Sequence, residues 1–160
     1  MLALAAMGGF GCVENVENVE IVVAVGARPP ACEHDGFEKQ LQAWGAWSED
    51  ETYGSVWTPS DPAFVPYATD GDFVDLGGEM SWVSDVPWGE TLHRGWWVRS
   101  RDRWRWVPGT ARSGAVVRWI QNGERTAWAP AAPPRIRRCD REETVAVRDD
   151  APIVGERRDD

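Results

Sequence analysis

Four pairs of aromatic residues recur along the chain at nearly constant spacing, and no other feature of the sequence constrains the fold as strongly. Within each pair the two residues are nine or ten positions apart, and the second members follow one another at intervals of 25, 24 and 22 residues. The pairs are Trp47 and Trp57, Phe73 and Trp82, Trp97 and Trp106, and Trp119 and Trp128. A short unit with an aromatic residue at each end is typical of two strands joined by a turn.

Each interval between paired aromatic residues contains residues that favour a turn. They are Tyr53-Gly54, Gly77-Gly78, Arg101-Asp102 and Asn122-Gly123. Asn-Gly flanked by apolar residues is the strongest short signal for a hairpin, whereas Arg-Asp is a weak one. We therefore predict an all-β domain of four successive antiparallel β-hairpins, about eight short strands, that form a small barrel or a sandwich with disordered termini.

The stretch RWRW at 103–106 shows how tryptophan is used within a strand. Alternate residues of a strand point to opposite faces, so Trp104 and Trp106 share one face and the two arginines share the other. Tryptophan buries a large apolar area with few rotatable bonds, and we expect about seven of the eleven tryptophans to form the core. Trp96 and Trp97 are adjacent and must face opposite sides, so one of them lies outside that core.

Other tryptophans are predicted at the surface, close to arginines. Trp44 and Trp88 each precede a glycine in a predicted loop, where an indole either presents a flat face to a sugar or plugs the end of a barrel. Sugars stack on indole and arginine pairs with carboxylates, so we predict that loops 86–97 and 99–105 bind a glycan or a partner protein. The candidate ligand-binding residues are Trp88, His93, Arg94, Trp96, Arg99, Arg101 and Arg103.

The sequence shows no pattern that points to catalysis or metal binding, so we expect neither an enzyme nor a cofactor. There is no Gly-x-Ser-x-Gly nucleophile motif. His93 is the best single residue for chemistry, but a lone histidine more often has a hydrogen-bonded structural role. Acidic pairs such as Asp72 and Asp75 leave a hydrolase as a lesser alternative, although solvated acidic loops explain them equally well. The two histidines and the distant cysteines show no metal-ligand spacing.

Charge is divided unevenly along the chain. Residues 13–90 carry 16 acidic and 2 basic side chains, whereas residues 91–160 carry 10 acidic and 15 basic ones. Either the two halves face each other and their fields partly cancel, or the basic half forms a patch for an anionic glycan or a lipid head group. The net charge of −9 argues against nucleic acid as a partner, because phosphate binding favours a strongly basic protein face.

The N-terminal residues predict the cellular location. Residues 2–10 are uncharged and apolar, and this stretch is too short to span a bilayer but matches the apolar core of a secretory signal. Gly11-Cys12 resembles a bacterial lipobox, so we predict a signal or lipobox-like segment at 1–12, with Cys12 lipidated, and a tether at 13–20. The protein would then be an outer-membrane-anchored lipoprotein of the cell envelope that meets the membrane only through its lipid. Plain secretion to the periplasm and a cytosolic location are the alternatives.

Residues 21–132 are predicted to form the tryptophan-rich all-β domain, and residues 133–160 a charged, mostly disordered tail. A last edge strand at 144–147 is the alternative for part of that tail. In an oxidising compartment Cys32 and Cys139 would form a disulfide that joins the two ends of the domain, and otherwise both remain free thiols.

Nine short stretches between Leu41 and Pro130 carry a family resemblance. They are LQAWGAW (41–47), YGSVWTP (53–59), FVPY (64–67), DGDF (70–73), SWVSDVPWG (81–89), HRGWW (93–97), WRWVPG (104–109), AVVRW (115–119) and AWAP (127–130). In this order and spacing they resemble a tryptophan- and glycine-rich bacterial envelope family of unknown function, found in secreted proteins and lipoproteins and often with FecR-type regions. Phe64 and Phe73 depart from the family pattern, in which tryptophan is usual. The resemblance implies an envelope location and brings no catalytic residues.

These features predict a cell-envelope protein that acts as a non-catalytic binding or structural module, with a glycan or another protein as its partner. The alternative function is a purely structural protein-assembly domain in which every tryptophan is part of the core.

Overall fold

The computed structural model describes residues 36–138 and 143–159. The predicted lipidation site Cys12, the Cys32–Cys139 disulfide and the segments at 1–12 and 13–20 lie outside these residues and stay predictions. The described helices are α1 (Phe37–Leu41) and the 3₁₀ helix Gly89–Leu92. The described strands are β1 (Gly45–Asp50), β2 (Gly54–Pro59), β3 (Gly71–Asp75), β4 (Met80–Ser84), β5 (Arg94–Ser100), β6 (Arg103–Arg112), β7 (Val117–Asn122), β8 (Arg125–Pro130), β9 (Arg135–Arg138), β10 (Glu143–Ala146) and β11 (Gly155–Arg158).

The four predicted hairpins are confirmed. β1 pairs with β2, β3 with β4, β5 with β6 and β7 with β8, all antiparallel. In every hairpin the two aromatic residues of a sequence pair lie directly opposite each other. The opposed pairs are Trp47 and Trp57, Phe73 and Trp82, Trp97 and Trp106, and Trp119 and Trp128. The aromatic spacing therefore marks the register as well as the hairpin, since a slip of one residue would turn the two rings to opposite faces.

The hairpins assemble into the predicted all-β fold, since most of the described regular structure consists of antiparallel strands. β1, β2, β6 and β5 form a four-stranded sheet in that order, in which β2 meets β6 at Trp57 and Trp106. β11, β8 and β7 form a three-stranded sheet, and β3–β4 and β9–β10 are two-stranded. Across the described residues the sheets do not close into a barrel, which is consistent with a sandwich.

The main core is built largely from aromatic side chains. Its buried members are Leu41, Trp57, Phe64, Tyr67, Trp82, Leu92, Trp97, Trp104 and Trp106. Trp104 and Trp106 thus share a buried face, as predicted. Counting the second cluster described next, six tryptophans are buried, and Trp47, Trp88 and Trp128 pack against the main core while partly exposed.

A second, smaller apolar cluster lies on the other face of the four-stranded sheet. Trp96 packs there with Val56, Val98 and Val107 and is only 8% exposed. Trp96 and its neighbour Trp97 therefore face opposite sides, as predicted, and the structure shows that Trp97 is the one in the main core. The alternating sequence pattern does not indicate that Trp96 is buried in a second cluster on the opposite face of the sheet.

Three of the predicted turns differ from expectation, one in its residue types and two in their positions. In the β5–β6 hairpin Ser100 pairs with Arg103, and the turn residues Arg101 and Asp102 have φ angles of 52° and 60°. Positive φ at both central residues is the type I′ pattern, which normally contains Asn or Gly. In the β1–β2 and β7–β8 hairpins the predicted turn is wrong by one residue, because Gly54 and Asn122 are still paired, and in the second of these the turn is formed by Gly123 and the residue after it.

Part of the predicted tail forms strands. β9 pairs with β10, which overlaps the alternative edge strand at 144–147. β11 pairs antiparallel with β8, with Gly155 opposite Trp128. The expectation of a mostly disordered segment at 133–160 was based on its high charge. Charge does not show that residues 155–158 pair with β8, because that pairing depends on contacts with a distant part of the chain.

In each hairpin the second member of the aromatic pair, which we call the closing tryptophan, lies against a glycine. The first member of the pair is the opening aromatic residue. In the first three hairpins this glycine stands two residues before the opening aromatic residue, and a Cβ added to it would come within 2.8 Å of the indole. The pairs are Gly45 and Trp57, Gly71 and Trp82, and Gly95 and Trp106. In the fourth hairpin Val117 occupies the corresponding position, and Gly155 of β11 lies against Trp128 instead.

Candidate functional site

The predicted ligand-binding residues do not form one surface, because they lie at opposite ends of the β5–β6 hairpin. Arg94 begins β5 and pairs with Arg112, whereas Ser100 ends it and pairs with Arg103. At a strand rise of about 3.3 Å per residue, the two ends are roughly 20 Å apart. The candidates at the first end are His93 and Arg94, and those at the second are Arg99, Arg101 and Arg103.

Neither candidate tryptophan has a fully exposed side chain in the structure. Trp96 is buried in the second cluster and offers no exposed ring face for stacking, and its role in ligand binding stays a prediction. Trp88 is half-buried, and its ring centroid lies 5.8 Å from that of Trp57 and 5.7 Å from that of Phe64. Trp88 therefore packs as a plug at the margin of the core, while the neighbouring Trp44 is 42% exposed.

His93 and Arg94 help to hold the 3₁₀ helix against the end of the hairpin. Arg94 Nε lies 2.6 Å from Glu90 Oε1, and the guanidinium of Arg112 lies 3.4 Å from Glu90 Oε2. The backbone N–H of Ser113 donates to the His93 carbonyl at 3.0 Å, and His93 Nδ1 lies 3.2 Å from the Ser113 carbonyl oxygen. These contacts give His93 a structural role and pair the charge of Arg94 with a carboxylate.

A buried carboxylate orders the opposite end of the hairpin. Asp50 accepts hydrogen bonds from Ser100 Oγ at 2.7 Å and from the backbone N–H groups of Thr52 and Tyr53 at 2.9 and 3.1 Å. The guanidinium of Arg105 lies 3.7 Å from the same carboxylate. Burial acts to raise the pKa of Asp50, but the hydrogen bonds and the Arg105 charge outweigh it, and the pKa lies below its ordinary value. Asp50 thereby fixes the β1–β2 turn beside the β5–β6 turn.

A groove of about 270 Å³ lies beside this turn, and three arginines line it. Arg99 and Arg101 come from the hairpin, and Arg148 comes from the segment that leads to β11. None of the three forms an ion pair or a side-chain hydrogen bond with another residue in the part of the chain that the structure describes. Arg103 differs, because its guanidinium donates to the carbonyl of Pro59 at 2.8 Å. We call this feature the arginine groove.

The remaining polar lining of the arginine groove supplies both donors and acceptors. Asp102 and Asp150 are exposed at the groove and offer carboxylate oxygens. Tyr53 is half-buried there, and burial, followed by the charges of Asp150 and Asp50, raises the pKa of its phenol. Tyr53 is therefore protonated at neutral pH and has a hydroxyl that can donate.

The arginine groove adjoins strained backbone. Arg101 and Asp102 both have left-handed φ angles, although neither is glycine or asparagine. Such residues cost about 1 kcal/mol or more each, and strain of this kind concentrates at ligand clamps and binding sites. The strained turn holds Arg101 beside Arg99 at the groove, so the strain and the unpaired charge coincide.

The sequence pattern points to only part of the arginine groove. Arg99 and Arg101 were candidates because they belong to a run of alternating arginines. Arg148 and Tyr53 were missed, since they lie far away in the sequence and reach the groove only through the packing of the 147–154 segment and the β1–β2 turn. No local pattern around either residue signals that position.

The model of a family of unknown function, DUF6600, matches residues 38–135. The chain belongs to this family. The DUF6600 segment contains all four hairpins together with Arg99 and Arg101, whereas Arg148 and β11 lie beyond it. No curated protein and no solved structure matches the chain.

The described residues contain neither a cluster of metal ligands nor a helix that could span a membrane. Within residues 36–138 and 143–159, no group of three or more His, Cys, Asp or Glu side chains is arranged to hold a metal ion. The helices of this part of the chain are too short and too polar to cross a membrane.

Proposed function

We propose that this DUF6600 protein is a non-catalytic binding module of the cell envelope that holds a carboxylate-bearing glycan in the arginine groove. The observation that carries the proposal is the set of three guanidinium groups, on Arg99, Arg101 and Arg148, that share one groove and have no carboxylate partner among residues 36–138 and 143–159. Arginine favours carboxylates because its planar fork of donors matches their geometry.

A glycan suits the groove better than a simple anion. Asp102 and Asp150 accept hydrogen bonds from hydroxyl groups, and Tyr53 donates one, so the groove offers partners for the neutral part of a sugar as well as for its carboxylate. The volume of about 270 Å³ lies just below the usual range for pockets that enclose a small molecule, about 300–1,000 Å³. The groove therefore suits one unit of a polymer that lies across the surface.

The same geometry supports a role without catalysis. A carboxyl group that acts as a general acid is usually kept protonated by burial in apolar surroundings. Asp102 and Asp150 are instead exposed to solvent. His93, the best sequence candidate for chemistry, lies at the other end of the hairpin.

Titration calorimetry with oligogalacturonate, a carboxylate-bearing oligosaccharide, tests the proposal, and neutral maltooligosaccharide serves as the control ligand. We expect Arg99→Gln/Arg101→Gln to weaken binding of oligogalacturonate at least about tenfold, since each charge-assisted hydrogen bond contributes about 1.5–3 kcal/mol. The matched variant Arg135→Gln/Arg158→Gln removes two exposed arginines outside the groove and should bind like the wild type. Equal affinities of the two double variants would refute the groove as the site.

The envelope location rests on the N-terminal sequence and on the family resemblance. Metabolic labelling with a radiolabelled fatty acid tests it, with Cys12→Ser as the control. Label on the wild type alone supports a lipoprotein, and absence of label from both chains removes the lipid anchor from the proposal.

A protein-assembly role is the second candidate. The outer face of the β3–β4 hairpin exposes Val74, Leu76 and Val83 by 40, 60 and 48%. The form of this hypothesis in which every tryptophan is internal is wrong, since Trp44 and Trp119 are 42 and 41% exposed. Sedimentation of the wild type and of Val74→Lys/Val83→Lys tests assembly, because self-association that the variant loses would favour this role.

A further inference from the structure

The edge of β8 is covered by a strand that does not belong to the DUF6600 segment. The family match ends at residue 135, and β11 (Gly155–Arg158) returns from beyond it to pair with β8. The residues between β10 and β11, 147–154, contain neither helix nor strand. A four-residue strand on an irregular connection therefore completes a sheet that the family segment leaves with an open edge.

The fourth hairpin lacks a contact that the other three hairpins provide for themselves. Val117 stands where they have the glycine that faces the closing tryptophan, and Gly155 of β11 takes that place against Trp128. A Cβ at Gly155 would overlap the six-membered ring of the Trp128 indole. The edge of β8 therefore selects a strand with glycine directly opposite Trp128.

Polar contacts on either side of Gly155 select further residue types. Arg125 NH1 lies 2.6 Å from Glu156 Oε1, so the residue after the glycine is acidic. The guanidinium carbon of Arg157 lies 6.0 Å from the ring centroid of Trp119, so the next position is basic. These preferences come from side chains of β7 and β8, which lie within the family segment.

The far end of the strand is held by a second acidic residue. Asp159 Oδ2 accepts hydrogen bonds from Thr126 Oγ1 at 2.7 Å and from Gln121 Nε2 at 2.8 Å. The backbone N–H of Asp159 donates to the Glu124 carbonyl at 2.8 Å, and that of Val154 donates to the Trp128 carbonyl at 2.9 Å. The strand is thus held by main-chain and charged contacts along its length, as are peptides that add to a sheet edge, and at its start by packing of Val154 against the main core.

We propose that the edge of β8 is an acceptor site for an extended peptide strand of a partner protein, and that the chain's own residues 154–159 occupy it as a built-in competitor. The partner strand has the chemistry of the native one: glycine opposite Trp128, then an acidic and a basic residue, and a second acidic residue at the end. Because a tethered strand acts at an effective concentration in the millimolar range, a partner binds only when it outcompetes the tether.

The test uses the full chain and adds the native strand as a separate molecule, a fluorescein-labelled peptide of residues 150–160. Gly155→Ala places a methyl group against Trp128 and releases the tethered strand. We expect this variant to bind the peptide at least about tenfold more tightly than the wild type does, measured by fluorescence anisotropy. Gly89→Ala is the matched control, since a Cβ there has no neighbour closer than 3.8 Å, and it should behave as the wild type.

A second variant keeps the test decisive if Gly155→Ala disturbs folding. Glu156→Arg/Asp159→Arg reverses two exposed charges of the tethered strand and leaves the core unchanged, and it should also bind the wild-type peptide more tightly. A peptide that carries alanine in place of the glycine should not bind. The proposal is overturned if neither variant binds more tightly than the wild type, or if the alanine peptide binds equally well. A concentration-dependent dimer of the wild type would show exchange between copies and would overturn the assignment to a different partner protein.

Discussion

Trp57 of the first hairpin lies directly opposite Trp106 of the third. Each also faces the other tryptophan of its own hairpin, so Trp47, Trp57, Trp106 and Trp97 form one row across the four strands of the largest sheet. Within this row the ring centroids of Trp57 and Trp97 are 6.2 Å apart and their planes meet at 67°, an edge-to-face arrangement. The row joins two hairpins that the sequence presents as separate repeats.

Three indoles of this row, those of Trp57, Trp97 and Trp106, also donate hydrogen bonds to backbone carbonyls, which a phenylalanine side chain cannot do. Trp57 Nε1 donates to the Leu41 carbonyl at 3.1 Å and Trp97 Nε1 to the Thr91 carbonyl at 3.0 Å. We predict that Trp57→Phe lowers the free energy of unfolding by about 2–3 kcal/mol, through the lost hydrogen bond and the smaller ring. Urea denaturation measures this change. Trp119→Phe, at a 41% exposed site, should cost less than about 0.5 kcal/mol, and equal losses at both sites would contradict the explanation.

The close approach of Gly45 to the Trp57 indole leads to a second prediction. A Cβ at Gly45 would clash with the backbone carbonyl oxygen of Thr58 and would lie 2.6 Å from a ring carbon of Trp57, so Gly45→Ala should destabilise the fold by about 1–3 kcal/mol. Gly89→Ala is the control, because a Cβ there has no neighbour closer than 3.8 Å. Thermal unfolding followed by near-ultraviolet circular dichroism compares the two variants, and an unchanged midpoint for Gly45→Ala would show that the β2 backbone and the Trp57 indole both move aside at little cost.

The strained β5–β6 turn predicts a stabilising substitution. Arg101 and Asp102 occupy the left-handed positions of a type I′ turn, for which Asn-Gly is the preferred sequence. Arg101→Asn/Asp102→Gly should raise the free energy of unfolding by about 1–2 kcal/mol. Arg101→Ala/Asp102→Ala removes the same side chains but keeps the strain, and it should give no gain. An equal rise in the free energy of unfolding in both variants would show that removal of the two charged side chains, and not relief of backbone strain, stabilises the fold.

The hydrogen-bonded Asp50 predicts a loss of stability in acid. Because its pKa is lower in the folded protein than the ordinary value of 3.8, the ionised carboxylate stabilises the fold above that value, and this contribution is lost as the pH falls through the folded pKa. The free energy of unfolding should therefore be level between about pH 5 and 7 and fall below about pH 4. Asp50→Asn should be less stable at pH 7 and show a shallower decline in acid. A decline identical to that of the wild type would assign the effect to other carboxyl groups, such as Asp159, whose pKa is also lowered.

The sequence by itself determined the local half of this structure. Aromatic residues nine or ten positions apart, with turn residues between them, define each hairpin and its register, because strand alternation and turn chemistry act over a few residues. The same local rules also placed Trp104 and Trp106 on one buried face. They failed by one residue at Tyr53-Gly54 and at Asn122-Gly123, where Gly54 and Asn122 are still paired and the pairing of the flanking strands decides which residues form the turn.

Only the tertiary structure decided how the hairpins combine. The meeting of Trp57 with Trp106, the burial of Trp96 in a second cluster and the arrival of Arg148 beside Arg99 all join segments far apart in the chain. Hydrophobic burial is non-directional, so the sequence pattern shows that a face must be covered and not which segment covers it. The fourth hairpin shows the same division, since the sequence displays Val117 in place of a glycine, and only the fold shows that Gly155 supplies the contact.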